Sequence, residues 1–260
     1  MKKILLVGGC SYSNDRFKSI HHPELDVSWP KWPQLLAKKL DMELINLSHS
    51  GAGQEYIYSN IIDKLQTIDH SKIGLVIAAW STAPRRDYQI ENLYLKKTIW
   101  ENNMYDSKGC MQYWIDRSLR YYYSFQTVCE YLKLPYKQFQ MIDLYKGYLH
   151  HQLIAKRTED FPEDPVKQLP ILNKPHQLNW NEKNWKERKE REYLAQIHNS
   201  PYYEKINNNF IGWPTYPKLN GYSLNNKVLD NADYRISDVD THPNEQGQKK
   251  LAEFIYDRLG

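Results

Sequence analysis

The sequence predicts an α/β fold, a three-layer α/β/α sandwich around a parallel, flavodoxin-like sheet with a polar insertion before the last helix. Three observations predict it. Short apolar runs, continuous enough for strands covered on both faces, alternate with longer segments of helical periodicity. The runs break at glycine, serine, threonine or asparagine, residues suited to turning a chain out of a buried strand. The rhythm spans most of 260 residues, a length that suits one large domain.

The elements follow in order. Residues 3–8 (Lys-Ile-Leu-Leu-Val-Gly) read as a buried first strand that stops at glycine. Trp29-Pro30 opens a helical segment with Leu35, Leu36 and Leu40 on one face. A second strand over 43–47 ends at Asn46-Leu47-Ser48, and the next helix carries Ile57, Ile61, Ile62, Leu65 and Ile68. Residues 75–79 are a third apolar strand. A long helix over 113–133 places Ile115, Leu119, Tyr122, Phe125, Cys129 and Leu132 three or four residues apart. Pro135 closes it, and 136–142 reads as a fourth strand. The C-terminal helix starts near Pro243 and carries Leu251, Ala252, Ile255 and Leu259. Strands alternating with helices give a parallel sheet with helices on both faces.

Residues 144–232 break this rhythm, being rich in Pro, Asn, Lys and Tyr. Residues 181–192 hold nine charged residues in twelve and read as a solvated helix. We therefore expect one domain over 1–260, with 144–232 as an insertion or lid bordering the site.

Composition excludes several classes. Lys plus Arg is 35 and Asp plus Glu is 31, so the net charge of +4 does not mark a dedicated nucleic-acid binder. Mean hydropathy is −0.77, but 21 Tyr and 8 Trp depress that value while packing well in cores. No apolar run approaches the roughly 20 residues of a membrane span. Cys10, Cys110 and Cys129 are too few for a disulfide framework, and no Cys-x-x-Cys or His-x-x-x-His spacing suggests zinc. Met1-Lys2-Lys3 followed by ILLVGGC mimics a lipoprotein signal, but its apolar stretch is below the roughly 7–15 residues of a real one. The expectation is a soluble protein, cytoplasmic when made, with no metal, no organic cofactor, no nucleic-acid partner and no membrane partner; its oligomeric state is left open.

Ligands of open parallel sheets bind beyond the carboxyl ends of the strands. After strand one comes Gly8-Gly9-Cys10-Ser11-Tyr12-Ser13-Asn14, and after strand two Asn46-Leu47-Ser48-His49-Ser50-Gly51. After strand three comes Trp80-Ser81-Thr82-Ala83-Pro84-Arg85-Arg86, and before the last helix Asp238-Val239-Asp240-Thr241-His242-Pro243-Asn244. These segments resemble, in this order, the blocks of the SGNH (GDSL-like) hydrolase superfamily. Gly9-Cys10-Ser11 resembles its Gly-Asp-Ser, and Asp240-Thr241-His242 its closing acid and base. GCSYS, SWPKWPQLLAKKL and DTHPNEQGQKKLAEFIYDRL together also resemble phage-encoded members of that superfamily. The likeness covers about residues 1–90 and 234–260.

The resemblance implies a serine esterase or acyl transferase, with Ser11 as nucleophile, His242 as base and an aspartate orienting it. It also implies an oxyanion hole from Ser11, Gly51 and the third block. Three departures stand out. Cys10 replaces the aspartate beside the serine. The third block, Gly-x-Asn-Asp in the family, falls on Ala79-Trp80-Ser81-Thr82, so Ser81 stands where an asparagine donates. Val239 occupies the position of the usual Asp-x-x-His aspartate.

The residues also admit plainer roles. Ser11 could cap a helix after strand one, and Cys10 fits a small buried filler better than a nucleophile. His242 could be a solvated turn residue. His49 could touch substrate. Arg85 and Arg86 could be a solvated pair, meet an anionic substrate group, or replace the missing asparagine. Between the aspartates, Asp240 is preferred to Asp238. In an extended segment Asp240 and His242 project to one side, roughly 6.5 Å apart at the Cα atoms, and Pro243 biases His242 away from helix. The expected substrate is a small-molecule or glycan ester, a carbohydrate O-acetyl group favoured. The alternative is a weak or inactive member acting as a binding or virion-associated protein.

Overall fold

The computed structural model describes residues 2–90, 93–98, 111–145 and 182–259. Five parallel strands form its main sheet: β1 (Ile4–Gly8), β2 (Glu43–Asn46), β3 (Ile73–Trp80), β6 (Tyr136–Gln140) and β7 (Phe210–Ile211). Their order, β2-β1-β3-β6-β7, is the flavodoxin-like order expected from the alternation. β1 is buried along its whole length, which explains its unbroken apolar run.

Helices cover both faces. α1 (Trp32–Lys39) follows β1 and packs on α6 (Glu245–Tyr256). α2 (Gln54–Leu65) packs on α3 (Met111–Tyr131), and α3 in turn on α4 (Glu182–His198); a short α5 (Leu224–Lys227) follows β7. The chain steps from β1 to β2 in one direction and from β2 onward in the other. Right-handed crossovers then put α1 on one face and α2, α3 and α4 on the opposite face. The predicted periodicities supply the packed faces: Leu36 of α1, Ile57 and Ile61 of α2, Ile115 and Leu119 of α3, and Leu251 and Ile255 of α6 are all fully buried, as is Trp32, which the α1 periodicity does not include.

Three expectations are corrected. The sequence predicts no strand between 79 and 113, but β4 (Arg85–Ile90) and β5 (Leu93–Thr98) pair antiparallel there, carrying Arg85 and Arg86 on a hairpin. Part of 144–232 belongs to the body of the fold. Phe210 and Ile211 make the fifth strand, and α4 buries Tyr193 and Ile197 against the core, so that helix is not solvated on all sides. Of that expected insertion, 146–181 lies outside the described residues, as does Cys110. Third, α1 begins at Trp32 rather than Trp29, and α6 at Glu245 behind the N-cap Asn244, whose side chain accepts from Gly247 N–H at 3.0 Å.

Among the described residues no helix is long and apolar enough to cross a membrane.

Candidate active site

The strand order reverses between β1, β2 and β3, so the carboxyl end of β1 opens on the sheet's switch point. Ser11 sits there. Close packing dictates the glycines before it. A Cβ on Gly8 would fall 2.7 Å from the Ile61 side chain, and one on Gly9 would fall 2.6 Å from Ser13 Oγ. The chain then turns tightly, with Ser13 N–H donating to Cys10 O at 3.0 Å. No helix follows until α1, so Ser11 caps none. Cys10 is fully buried in the core, consistent with a filler.

His242 arrives from the far end of the chain. Asp238 and Val239 form the tip of a turn closed by Ser237 N–H to Asp240 O at 3.0 Å, and Ile236 N–H donates to His242 O at 2.9 Å. Asp238 and Val239 are exposed, while Asp240 points inward, 2% exposed. The structure thus brings Asp240, not Asp238, to His242. Asp240 Oδ1 lies 2.6 Å from His242 Nδ1 and also accepts the His242 backbone N–H at 3.1 Å. On the other side of the ring, His242 Nε2 lies 2.8 Å from Ser11 Oγ. With Nδ1 protonated and facing the carboxylate, Nε2 presents its lone pair to the serine hydroxyl.

Aromatic rings fix the imidazole. Phe17 packs on it with centroids 4.3 Å apart and Tyr12 at 4.9 Å. Burial pushes the Tyr12 phenol up to about 12, so it stays protonated. Its hydroxyl donates to Thr241 O at 3.1 Å, tying the β1 turn to the histidine loop. Gln248 of α6 adds a second tie, accepting from Trp32 N–H at 2.7 Å and donating to Tyr12 O at 3.2 Å.

Electrostatics favour a neutral imidazole and an ionised carboxylate. Burial lowers the pKa of His242, outweighing the stabilisation of its cation by Asp240, and the charges of Arg85 and His21 act in the same direction as burial. For Asp240 burial works the other way, but hydrogen bonds from Ser19 and His242 outweigh it and hold the carboxyl below its ordinary value.

The second loop is braced against the first. Asn14 Nδ2 donates to Ser50 Oγ at 3.0 Å, and Asn46 Nδ2 to Ser13 O at 2.9 Å. Gly51 adopts φ 80°, a left-handed conformation that a side chain would strain. Among the described residues neither the Ser11 nor the Gly51 N–H has a hydrogen-bond acceptor. Arg85 Nη1 donates to Ala52 O at 3.1 Å, one residue past Gly51. Asp87 of β4 accepts from Gly53 N–H at 2.9 Å and Tyr56 N–H at 2.8 Å, serving as the cap that α2 lacks in its own N-cap Gly53.

Ser81 follows β3. Gln54 clamps its backbone, donating to Ser81 O at 2.7 Å and accepting from Ser81 N–H at 3.2 Å. Among the described residues the Ser81 hydroxyl has no hydrogen-bond partner, and it is fully buried, so it is not open to a ligand as the expected oxyanion-hole donor would be. His49 is exposed, and its ring meets Tyr56 edge-on at 5.8 Å. Arg86 pairs with Lys97 across the hairpin, and its side chain lies outside the described residues. Sequence reasoning missed Ser19, whose hydroxyl lies 2.5 Å from Asp240 Oδ2; a lone serine in a polar loop gives no periodic signal. Among the described residues no group of three or more His, Cys, Asp or Glu is arranged to hold a metal ion.

No protein-family model matches the chain, and no curated protein matches it. Among solved structures it is similar to the psychrotrophic esterase EstA from Pseudoalteromonas sp., in a structure inhibited by monoethylphosphonate, at 12% identity and a TM-score of 0.45, covering 99% of this chain and 96% of that one. It is also similar to a lipase from a goat rumen metagenome, at 14% identity and a TM-score of 0.44, covering 99% of this chain and 100% of that one. A third is LAE5, an alpha/beta hydrolase enzyme from the metagenome of Lake Arreo, Spain, at 11% identity and a TM-score of 0.43, covering 99% and 95%. At these values the likenesses carry no argument about chemistry; the parallel α/β/α architecture stands on the strand order and crossovers of the chain itself.

Proposed function

We propose that the protein is a serine esterase or acyl transferase. The observation that carries this is the unbroken chain Ser11 Oγ–His242 Nε2 at 2.8 Å and His242 Nδ1–Asp240 Oδ1 at 2.6 Å, at the carboxyl end of β1. A serine hydroxyl is a weak nucleophile until a base takes its proton. His242, held neutral by its surroundings, is that base. Ser11 Oγ attacks the acyl carbonyl as its proton passes to Nε2, and Asp240 offsets the imidazolium charge. The open N–H groups of Ser11 and Gly51 receive the oxyanion; the fully buried Ser81 hydroxyl is not among its donors. His242 then protonates the leaving alcohol, and water or an acceptor alcohol repeats the sequence on the acyl-enzyme. The scheme uses no metal or organic cofactor.

The substrate class is an O-acyl ester, with a carbohydrate O-acetyl group first. Exposed His49, packed edge-on against half-buried Tyr56 close to Gly51, supports this, offering an edge for a sugar ring, and Arg85 supplies donors to its oxygens. The test is hydrolysis of p-nitrophenyl acetate and of an acetylated-sugar panel. Turnover is expected to fall to background in Ser11→Ala and to survive in Cys10→Ala. Unchanged turnover in Ser11→Ala refutes the assignment. One observation favours a second reading, a binding or virion-associated protein: Ser81 stands where the family has asparagine, and losing one oxyanion donor costs about 10²–10³ in rate. A wild-type protein inert on the whole panel would select it.

A further inference from the structure

We infer that Ser19 is a positioning residue of this site, its hydroxyl fixing and tuning the Asp240 carboxylate that holds His242. The inference rests on the proposed function and deepens it.

Ser19 lies in the long connection between β1 and α1 and is 5% exposed. Its oxygen accepts the His22 backbone N–H at 2.9 Å. A hydroxyl has one proton to give, and the carboxylate oxygen Asp240 Oδ2, which can only accept, lies 2.5 Å away. The direction of the bond is therefore set: Ser19 donates. Asp240 Oδ1 is already occupied by the backbone and ring N–H groups of His242. Both carboxylate oxygens are thus held, and the group cannot rotate without breaking a charge-assisted bond.

A parallel brace holds the same two segments together. Ser237 Oγ accepts the Asp240 N–H at 3.0 Å and meets His22 Nε2 at 2.8 Å. The connection that carries Ser19 also lays Phe17 on the His242 ring. It therefore grips both the aspartate and the histidine from outside the turn that bears them.

The consequence is electrostatic as well as geometric. The charged and titratable groups acting on His242 are Asp240 in its own loop, Arg85 from β4 and His21 from the long connection, with protonated Tyr12 against the ring. Of these groups, Asp240 alone favours the imidazolium. Ser19 draws part of the carboxylate's charge into its hydrogen bond. Without it, Oδ2 is buried with no donor, the carboxylate becomes more basic, and its pull on the Nδ1 proton strengthens.

The experiment compares wild type with Ser19→Ala by NMR titration of the His242 ring and by pH–rate profiles on p-nitrophenyl acetate. The His242 midpoint should move to higher pH and the acid limb of kcat/KM with it, while the carboxylate, free to rotate, aligns the ring less well. This loss of orientation outweighs the stronger pull, and kcat should fall about tenfold, the scale of one charge-assisted bond, with KM unchanged. A merely structural serine would lower the yield of folded protein without moving the titration. A midpoint that stays put, or moves to lower pH, overturns the inference even where the enzyme is active. The titration does not require turnover, so an inert wild type would count against the proposed function alone.

Discussion

Replacing Asp240 by asparagine removes a charge while keeping the shape. In the favoured orientation the amide oxygen keeps both His242 N–H groups, and the amide nitrogen faces Ser19 Oγ, which has a lone pair left to accept it. The fold should therefore survive. What is lost is the anion opposite the imidazolium that forms as Ser11 attacks. With Nδ1 2.6 Å from Oδ1, the charge centres lie about 4 Å apart, and their attraction is about 4 kcal/mol at an effective permittivity near 20. The amide dipole retains about 1 kcal/mol of this, so the net loss is about 3 kcal/mol, or on the order of 10² in kcat. The pH dependence should also change. Asp240 is the group that raises the His242 pKa against burial, Arg85 and His21. Without it the imidazole gives up its proton at still lower pH, and the acid limb of the rate profile moves down. The assay is p-nitrophenyl acetate hydrolysis across the acid and neutral range, with a thermal melt to establish folding. A folded Asp240→Asn variant with kcat within about threefold of wild type, or an acid limb moving upward, would refute the reasoning.

Three further outcomes are expected. Asp238→Asn should leave kcat within about twofold, because Asp238 is exposed at the turn tip while Asp240 is the residue in contact with His242; the same assay checks it. Asp87→Ala should lower Tm by about 2–4 °C by stripping the acceptor from Gly53 and Tyr56 N–H, a loss of about 1 kcal/mol, read by calorimetry. Stability should fall as pH drops through the ordinary histidine value of about 6.5. The folded His242 pKa is depressed, so the unfolded chain binds the proton first and unfolding gains. Denaturant titrations above and below that pH should show a larger loss for wild type than for His242→Gln.

The sequence was most legible where one signal was strong and local. The apolar run of β1 and the periodicity of α2, α3 and α6 follow from burial, so strand order and covering helices were within reach. The meeting of Ser11, Asp240 and His242 was legible because the segments after β1 and before α6 resemble hydrolase blocks and lie at strand ends, where ligands bind. The preference for Asp240 followed from the i, i+2 geometry before proline. β7 was not readable, because two residues, Phe210 and Ile211, are too short a run to stand out from a polar region. The β4–β5 hairpin was hidden by its charged residues, Arg85, Arg86 and Asp87, which look like a solvated loop. Charge likewise masked the buried face of α4, whose Tyr193 and Ile197 lie beyond the run of charged residues. Ser19 and His22 act through the long connection after β1, and nothing in KSIHHPEL distinguishes a brace from a solvated loop.

The central claim is that Ser11 is an activated nucleophile with His242 as its base. It is tested most directly by intact-mass and peptide-mass analysis after exposure to a fluorophosphonate, which labels only a serine whose proton is being taken. Wild type should gain one adduct, carried by Ser11, and both Ser11→Ala and His242→Ala should gain none while remaining folded. An unlabelled wild type, or an adduct that persists in Ser11→Ala, would contradict the account.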